Sequence, residues 1–110
     1  YASLEPDVRS RLCGLSARHG SEHVYRGRYA DRGAVDDGVT YPTAVHPVVR
    51  THPETSRRSL FVNPSFTVGI EGLDEAESRQ LLDDLHVHCA RPEFQIRHRW
   101  DRNDVVLWDN

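Results

Sequence analysis

The feature that most constrains this chain is its final stretch, EFQIRHRWDRNDVVLWDN, from Glu93 to Asn110. From Phe94 the side chains alternate. Phe94, Ile96, His98 and Trp100 fall on one side of an extended backbone, and Gln95, Arg97 and Arg99 on the other. A period of two marks a strand with one buried face. Asp101-Arg102-Asn103-Asp104 reads as a turn, because Asn tolerates a positive φ. Val105, Val106, Leu107 and Trp108 read as the return strand, apolar on both faces and so deep in a sheet. The stretch predicts a β-hairpin.

Upstream the patterns change in order. Ser3 to His19 reads as a helix: Leu4, Val8, Leu12 and Leu15 form one stripe, Pro6 suits the first turn, and Gly20 suits a C-terminal cap. Residues 20–43 hold Gly27, Gly33 and Gly38 and keep no period, which predicts a long irregular loop. Ala44–Thr51 reads as a strand, Pro53–Arg57 as a turn and Ser59–Asn63 as the returning strand. Pro47 marks an edge or bulge. Asp74 to Arg91 is the clearest helix, with Asp74 as N-cap and Glu77 three residues on. Its inward stripe is Ser78, Leu81, Leu82, Leu85 and Cys89, and Pro92 stops it. Periodicity alone therefore gives mixed α and β structure with antiparallel pairing.

Composition excludes several functions. All 14 basic residues are Arg, the formal net charge is −3, and no basic block is present, which argues against nucleic acid. No apolar run reaches the roughly 18 residues that span a bilayer. Cys13 and Cys89 read as reduced, buried thiols of a cytoplasmic protein. The seven His include no convincing metal pair. Gly20 splits His19 from His23, and His86 and His88, two apart on a helix, point in different directions. The chain contains no Met and stops at an apolar strand, so it is expected to be an internal piece of a longer protein.

Two motifs carry a resemblance. One is PEF-Q-x-R-x-x-W followed by a turn and WDN, from Pro92 to Asn110; the other is HPVVRTHPET-x-R-x-x-x-FVN, from His46 to Asn63. Together they resemble the TauD/TfdA family of iron(II)- and 2-oxoglutarate-dependent dioxygenases. That family usually has Gly where Ser56 and Asn103 stand here, both at turns. The resemblance is good over residues 44–110, moderate over 1–19 and faint over 20–43.

The resemblance implies an α+β, mostly β fold: part of a double-stranded β-helix, or jelly roll, with flanking helices. Residues 1–110 would be one partial domain, with a helix at 1–19, a variable loop or lid at 20–43, and a hairpin–helix–hairpin at 44–110. It implies Fe(II) and 2-oxoglutarate in the parent protein, with neither expected on this piece and no turnover by it alone. The family's HxD lies before Tyr1, and its distal iron His and 2-oxoglutarate Arg lie after Asn110. No catalytic or metal residue is assigned here. His52-Pro53-Glu54 matches H-x-D/E but falls in the strand-to-turn part of the second motif, and is set aside. Phe66 is assigned to the substrate pocket. Trp108 is assigned to the cofactor side, buried behind the metal-binding face.

The function implied is hydroxylation of a small organic anion, foremost taurine or a related sulfonate or alkyl sulfate, with release of sulfite or sulfate. A chlorophenoxyacetate-type dioxygenase is one alternative; a catalytically dead jelly roll with a binding or assembly role is another. The partners implied are the sulfonate-like substrate and 2-oxoglutarate, without nucleic acid or membrane, and a homo-oligomer is compatible.

Overall fold

The computed structural model describes residues 1–33 and 35–108. Asp109 and Asn110, the end of the WDN motif, lie outside the described residues.

Helix α1 covers Pro6–Leu12, with Pro6 in its first turn. It is shorter than its apolar stripe predicts. Gly14 follows at φ 79°, a left-handed conformation that ends the helix and is open to Gly without strain. The next residues, Ser16–Gly20, form strand β1. The expected helix over Ser3 to His19 is therefore corrected to a helix, a tight turn and a strand. Leu4 and Leu12 do join one core, but β1 brings Ala17, not Leu15, fully into it.

β1 is the centre of a three-stranded sheet. It pairs antiparallel with β2, Thr43–Pro47, in the register Ser16 to Pro47 through Gly20 to Thr43. On its other edge it pairs antiparallel with β5, Thr67–Ile70, with an irregularity between Arg18 and His19. The single strand expected over Ala44–Thr51 is in fact two. Val48 separates β2 from β3, Val49–Thr51, which pairs with β4, Arg58–Leu60, in a second sheet. Val48 joins the two layers: its N–H donates to Leu15 O at 2.9 Å, and its carbonyl accepts from Phe61 N at 2.8 Å. Pro47 before it offers no N–H, which suits the point where the chain leaves one ladder for another.

Helix α3 spans Glu75–Cys89 and agrees closely with the sequence. Asp74 Oδ1 accepts from Glu77 N at 2.8 Å, the cap its side chain predicts. Ser78, Leu81, Leu82 and Leu85 form the buried stripe, whereas Cys89 is exposed. Leu12, Val48 and Leu85 are the largest fully buried side chains; each contributes about 1.5–3 kcal/mol of burial. Cys13 is exposed too, so both thiols are free but not buried as expected.

Residues 20–43 are less irregular than expected. They include a helical turn, α2, Glu22–Tyr25, and a 3-10 turn, Ala30–Arg32.

The expected terminal hairpin is corrected. A 3-10 turn covers Pro92–Phe94, and residues 95–108 form no strand. The central turn does form. Asp104 N donates to Asp101 O at 3.2 Å, and Asn103 takes φ 74°. Asp104 Oδ2 accepts from Asp101 N and pairs with His98 Nε2, both at 2.9 Å. The arms, however, leave Ile96 96%, Leu107 91% and Trp108 75% exposed. Alternation shows which face a strand would bury, but a lone hairpin without a covering layer is marginal in water. Among the described residues, no helix is long and apolar enough to cross a membrane.

Candidate functional site

Phe66 sits at a corner built by Asn63. Asn63 Oδ1 accepts from Ser65 N at 3.1 Å and Phe66 N at 2.8 Å, and Asn63 N donates to Thr67 Oγ1 at 2.9 Å. This Asx turn holds the corner rigid before β5 begins. The Phe66 carbonyl then accepts from Gly20 N at 2.8 Å, tying the corner to the end of β1.

α2 lies over the same corner. His23 Nε2 donates to the Ser65 carbonyl at 2.8 Å, and the Tyr25 ring lies 6.2 Å from that of Phe66. Glu22 pairs with Arg26 at 2.7 Å, and Arg26 lies over the Tyr41 ring. A cavity of about 560 Å³ opens beside this turn, lined by Gly20, Glu22, His23, Arg26, Thr43 and Val68; Phe66 does not line it. The arrangement presents aromatic surface on a rigid corner, with a short helical flap and a cation beside it. In the sequence His23 reads only as half of a rejected metal pair; its tie to Ser65 spans 42 residues and has no local signal.

A second cluster also escaped the sequence. The His19 ring lies 5.4 Å from His46 and 5.6 Å from Phe61, and His46 and Phe61 are 5.2 Å apart. Arg50 stands over Phe61 at 5.4 Å. Burial, and then the neighbouring His46, push the pKa of His19 below its usual value. β1–β2 pairing brings His19 and His46 together, the bond from Phe61 N to Val48 O sets Phe61 beside them, and the helical stripe through Leu12 and Leu15 concealed β1.

His52 belongs to the β3–β4 turn. Its Nδ1 accepts from Glu54 N and Thr55 N, each at 3.2 Å. His88 meets Ser3 Oγ at 3.1 Å, whereas the Nε2 of His86 is buried without a partner among the described residues. Among the described residues, no group of three or more His, Cys, Asp or Glu is arranged to hold a metal ion. The described residues therefore do not make an iron site between them. Trp108, expected to be buried beside one, is exposed and lies in no strand.

Compared with known proteins, residues 1–110 match the model of the family described as taurine catabolism dioxygenase TauD, TfdA family. The chain belongs to the TauD/TfdA family. It is 38% identical over 114 residues to an alpha-ketoglutarate-dependent 2,4-dichlorophenoxyacetate dioxygenase of Cupriavidus pinatubonensis, covering 100% of this chain and 38% of that protein. It is 34% identical over 122 residues to pentalenolactone F synthase of Streptomyces arenae, covering 99% of this chain and 40% of that one. The crystal structure of a taurine dioxygenase from Burkholderia xenovorans superposes with a TM-score of 0.72 at 34% identity, covering 92% of this chain and 31% of the other. The chain thus spans two-fifths or less of the length of these relatives.

Proposed function

We propose that this chain forms one wall and the mouth of an iron(II)- and 2-oxoglutarate-dependent dioxygenase whose catalytic domain is a double-stranded β-helix. The observation that carries this is the family match over residues 1–110. In such an enzyme the metal and 2-oxoglutarate supply the oxidising chemistry. This chain supplies positioning: Phe66 packs against the substrate's carbon skeleton, and α2 closes over it and limits water. Trp108 backs the cofactor side once further sheet covers it. Exposed as it is, an indole of that size is surface waiting for a neighbour.

The substrate is a small organic anion. A sulfonate or alkyl sulfate is the leading class, supported by the likeness to a taurine dioxygenase structure. A phenoxyacetate is the second, supported by the 38% identity to a 2,4-dichlorophenoxyacetate dioxygenase. The enzyme works in the cytoplasm.

A chimera tests the proposal. Residues 1–110 replace the matching segment of the 2,4-dichlorophenoxyacetate dioxygenase, and iron-dependent succinate formation is followed with taurine, an alkyl sulfate and the phenoxyacetate. Turnover is expected with at least one of them. Phe66→Ala in the chimera should lower kcat/KM by a factor equivalent to about 1–3 kcal/mol, with 2-oxoglutarate affinity retained. A chimera with native-like circular dichroism that binds iron and 2-oxoglutarate yet oxidises none of the three would defeat the reading.

A further inference from the structure

Away from α2, a groove of about 700 Å³ runs between the chain start, α1, β4 and the end of α3. Its cationic lining comes from Arg9, Arg57 and Arg58, and its apolar lining includes Leu60 and Phe94. No lining residue is acidic. Elsewhere, Arg18, Arg26, Arg79 and Arg91 each hold a Glu carboxylate. Among the described residues, Arg9, Arg57 and Arg58 hold none.

A second observation is independent of charge counting. Arg9 Nε is buried and has no hydrogen-bond partner among the described residues. A buried donor on an ionised group is costly to leave unmatched, and in native proteins such a donor commonly meets an ion or ligand. Guanidinium groups also suit an anion by shape, since their planar forks match the two oxygens of a carboxylate or phosphate. Leu60 and Phe94 add an apolar wall that inorganic ions would leave unused.

We infer that this groove is a binding site for a small amphipathic oxyanion, a carboxylate or phosphate borne on an aromatic or aliphatic group. The anion lies among the guanidinium groups of Arg9, Arg57 and Arg58, and its apolar part rests on Leu60 and Phe94. The site shares no lining residue with the cavity beside α2, so it is separate from the wall assigned to the substrate.

The test is calorimetric titration of the 110-residue chain with phenyl phosphate, inorganic phosphate and neutral 2-phenylethanol, at low and high salt. Saturable binding of phenyl phosphate is expected, stronger than that of inorganic phosphate, weakened by salt and absent with the alcohol. Arg9→Gln and the Arg57→Gln/Arg58→Gln pair should each weaken it roughly tenfold or more, whereas Arg79→Gln on the exposed side of α3 should leave it unchanged. Amide spectra of every variant confirm the fold. Equal binding by the folded Arg57/Arg58 variant, an equal loss in Arg79→Gln, or no saturable binding at all would overturn the assignment.

Discussion

Two single residues hold a backbone conformation that suits glycine better. Ser56 and Asn103 have φ values of 55° and 74°, and they are the only non-glycine residues with positive φ in the backbone described. A left-handed conformation strains a Cβ-bearing residue but not Gly, and Asn tolerates it better than Ser. Ser56→Gly should therefore stabilise the chain by about 0.5–1 kcal/mol after the greater entropy of an unfolded Gly is subtracted, and Asn103→Gly by less. Urea midpoints of the two variants measure the difference. His19 makes a different prediction. Its folded pKa lies below 6.5 because of burial and of His46, so the unfolded chain takes up the proton first as pH falls. Its contribution is complete above about pH 6.5 and is lost as pH drops through the lower folded value. Unfolding free energy should rise as pH climbs towards about 6.5, and His19→Gln should flatten that rise. An unaltered slope in the variant would assign the effect to another group.

Among the elements, α3 was the most legible, because every cue for it is local. A cap, an apolar stripe and a stopping proline all lie within one continuous stretch. Even so, its contact with the sheet is a tertiary matter. Ser78 Oγ accepts from the backbone N–H of Ile70 at 2.8 Å, in a buried setting where α3 meets β5. Ser78→Ala should cost about 1–3 kcal/mol by leaving that N–H unmatched, although Ala favours the helix. Thermal unfolding of the variant is the measurement, and a neutral or stabilised variant would show that water replaces the hydroxyl. β1 shows the opposite case. Leu12 and Leu15 continue a helical stripe in the sequence, but Gly14 breaks it, and the five residues after Leu15 pair on both edges. No five-residue window reveals that its partners lie near residues 45 and 69.

The whole molecule is open for its length. Its radius of gyration is 17.0 Å, against about 13 Å for a compact chain near this size. Much of the excess apolar surface lies on Ile96, Val105, Leu107 and Trp108. A chain exposing so much apolar, strand-like surface should self-associate. Sedimentation velocity should show a concentration-dependent weight average that shifts towards monomer in Ile96→Ser/Leu107→Ser. The same chain under anaerobic iron titration should bind iron(II) only weakly, because metal affinity needs several ligands converging at bonding distance. Admission of oxygen with 2-oxoglutarate should yield no succinate above a metal-only control. Stoichiometric tight binding would point to a ligand set among the His residues set aside above, beginning with His52 and Glu54.

By itself the sequence determined the family, through HPVVRTHPET and PEFQ, and the features whose physics is local: α3 with its Asp74 cap, the β3–β4 hairpin, and the turn at Asn103. It also implied a place for Phe66, though not what Phe66 touches. Tertiary structure alone decided that Ser16–Gly20 is a strand, that Val48 divides Ala44–Thr51 between two sheets, and that His19 meets His46. It alone brought the Arg9, Arg57 and Arg58 side chains to one groove. The physical reason is the same in each case. Helix caps and tight turns are satisfied by neighbours in the chain. A strand's hydrogen bonds and a cluster's contacts are satisfied by residues tens of positions away. Glu93–Asn110 shows that limit most plainly: its alternation is genuine, but alternation cannot supply the surface that a strand must pack against.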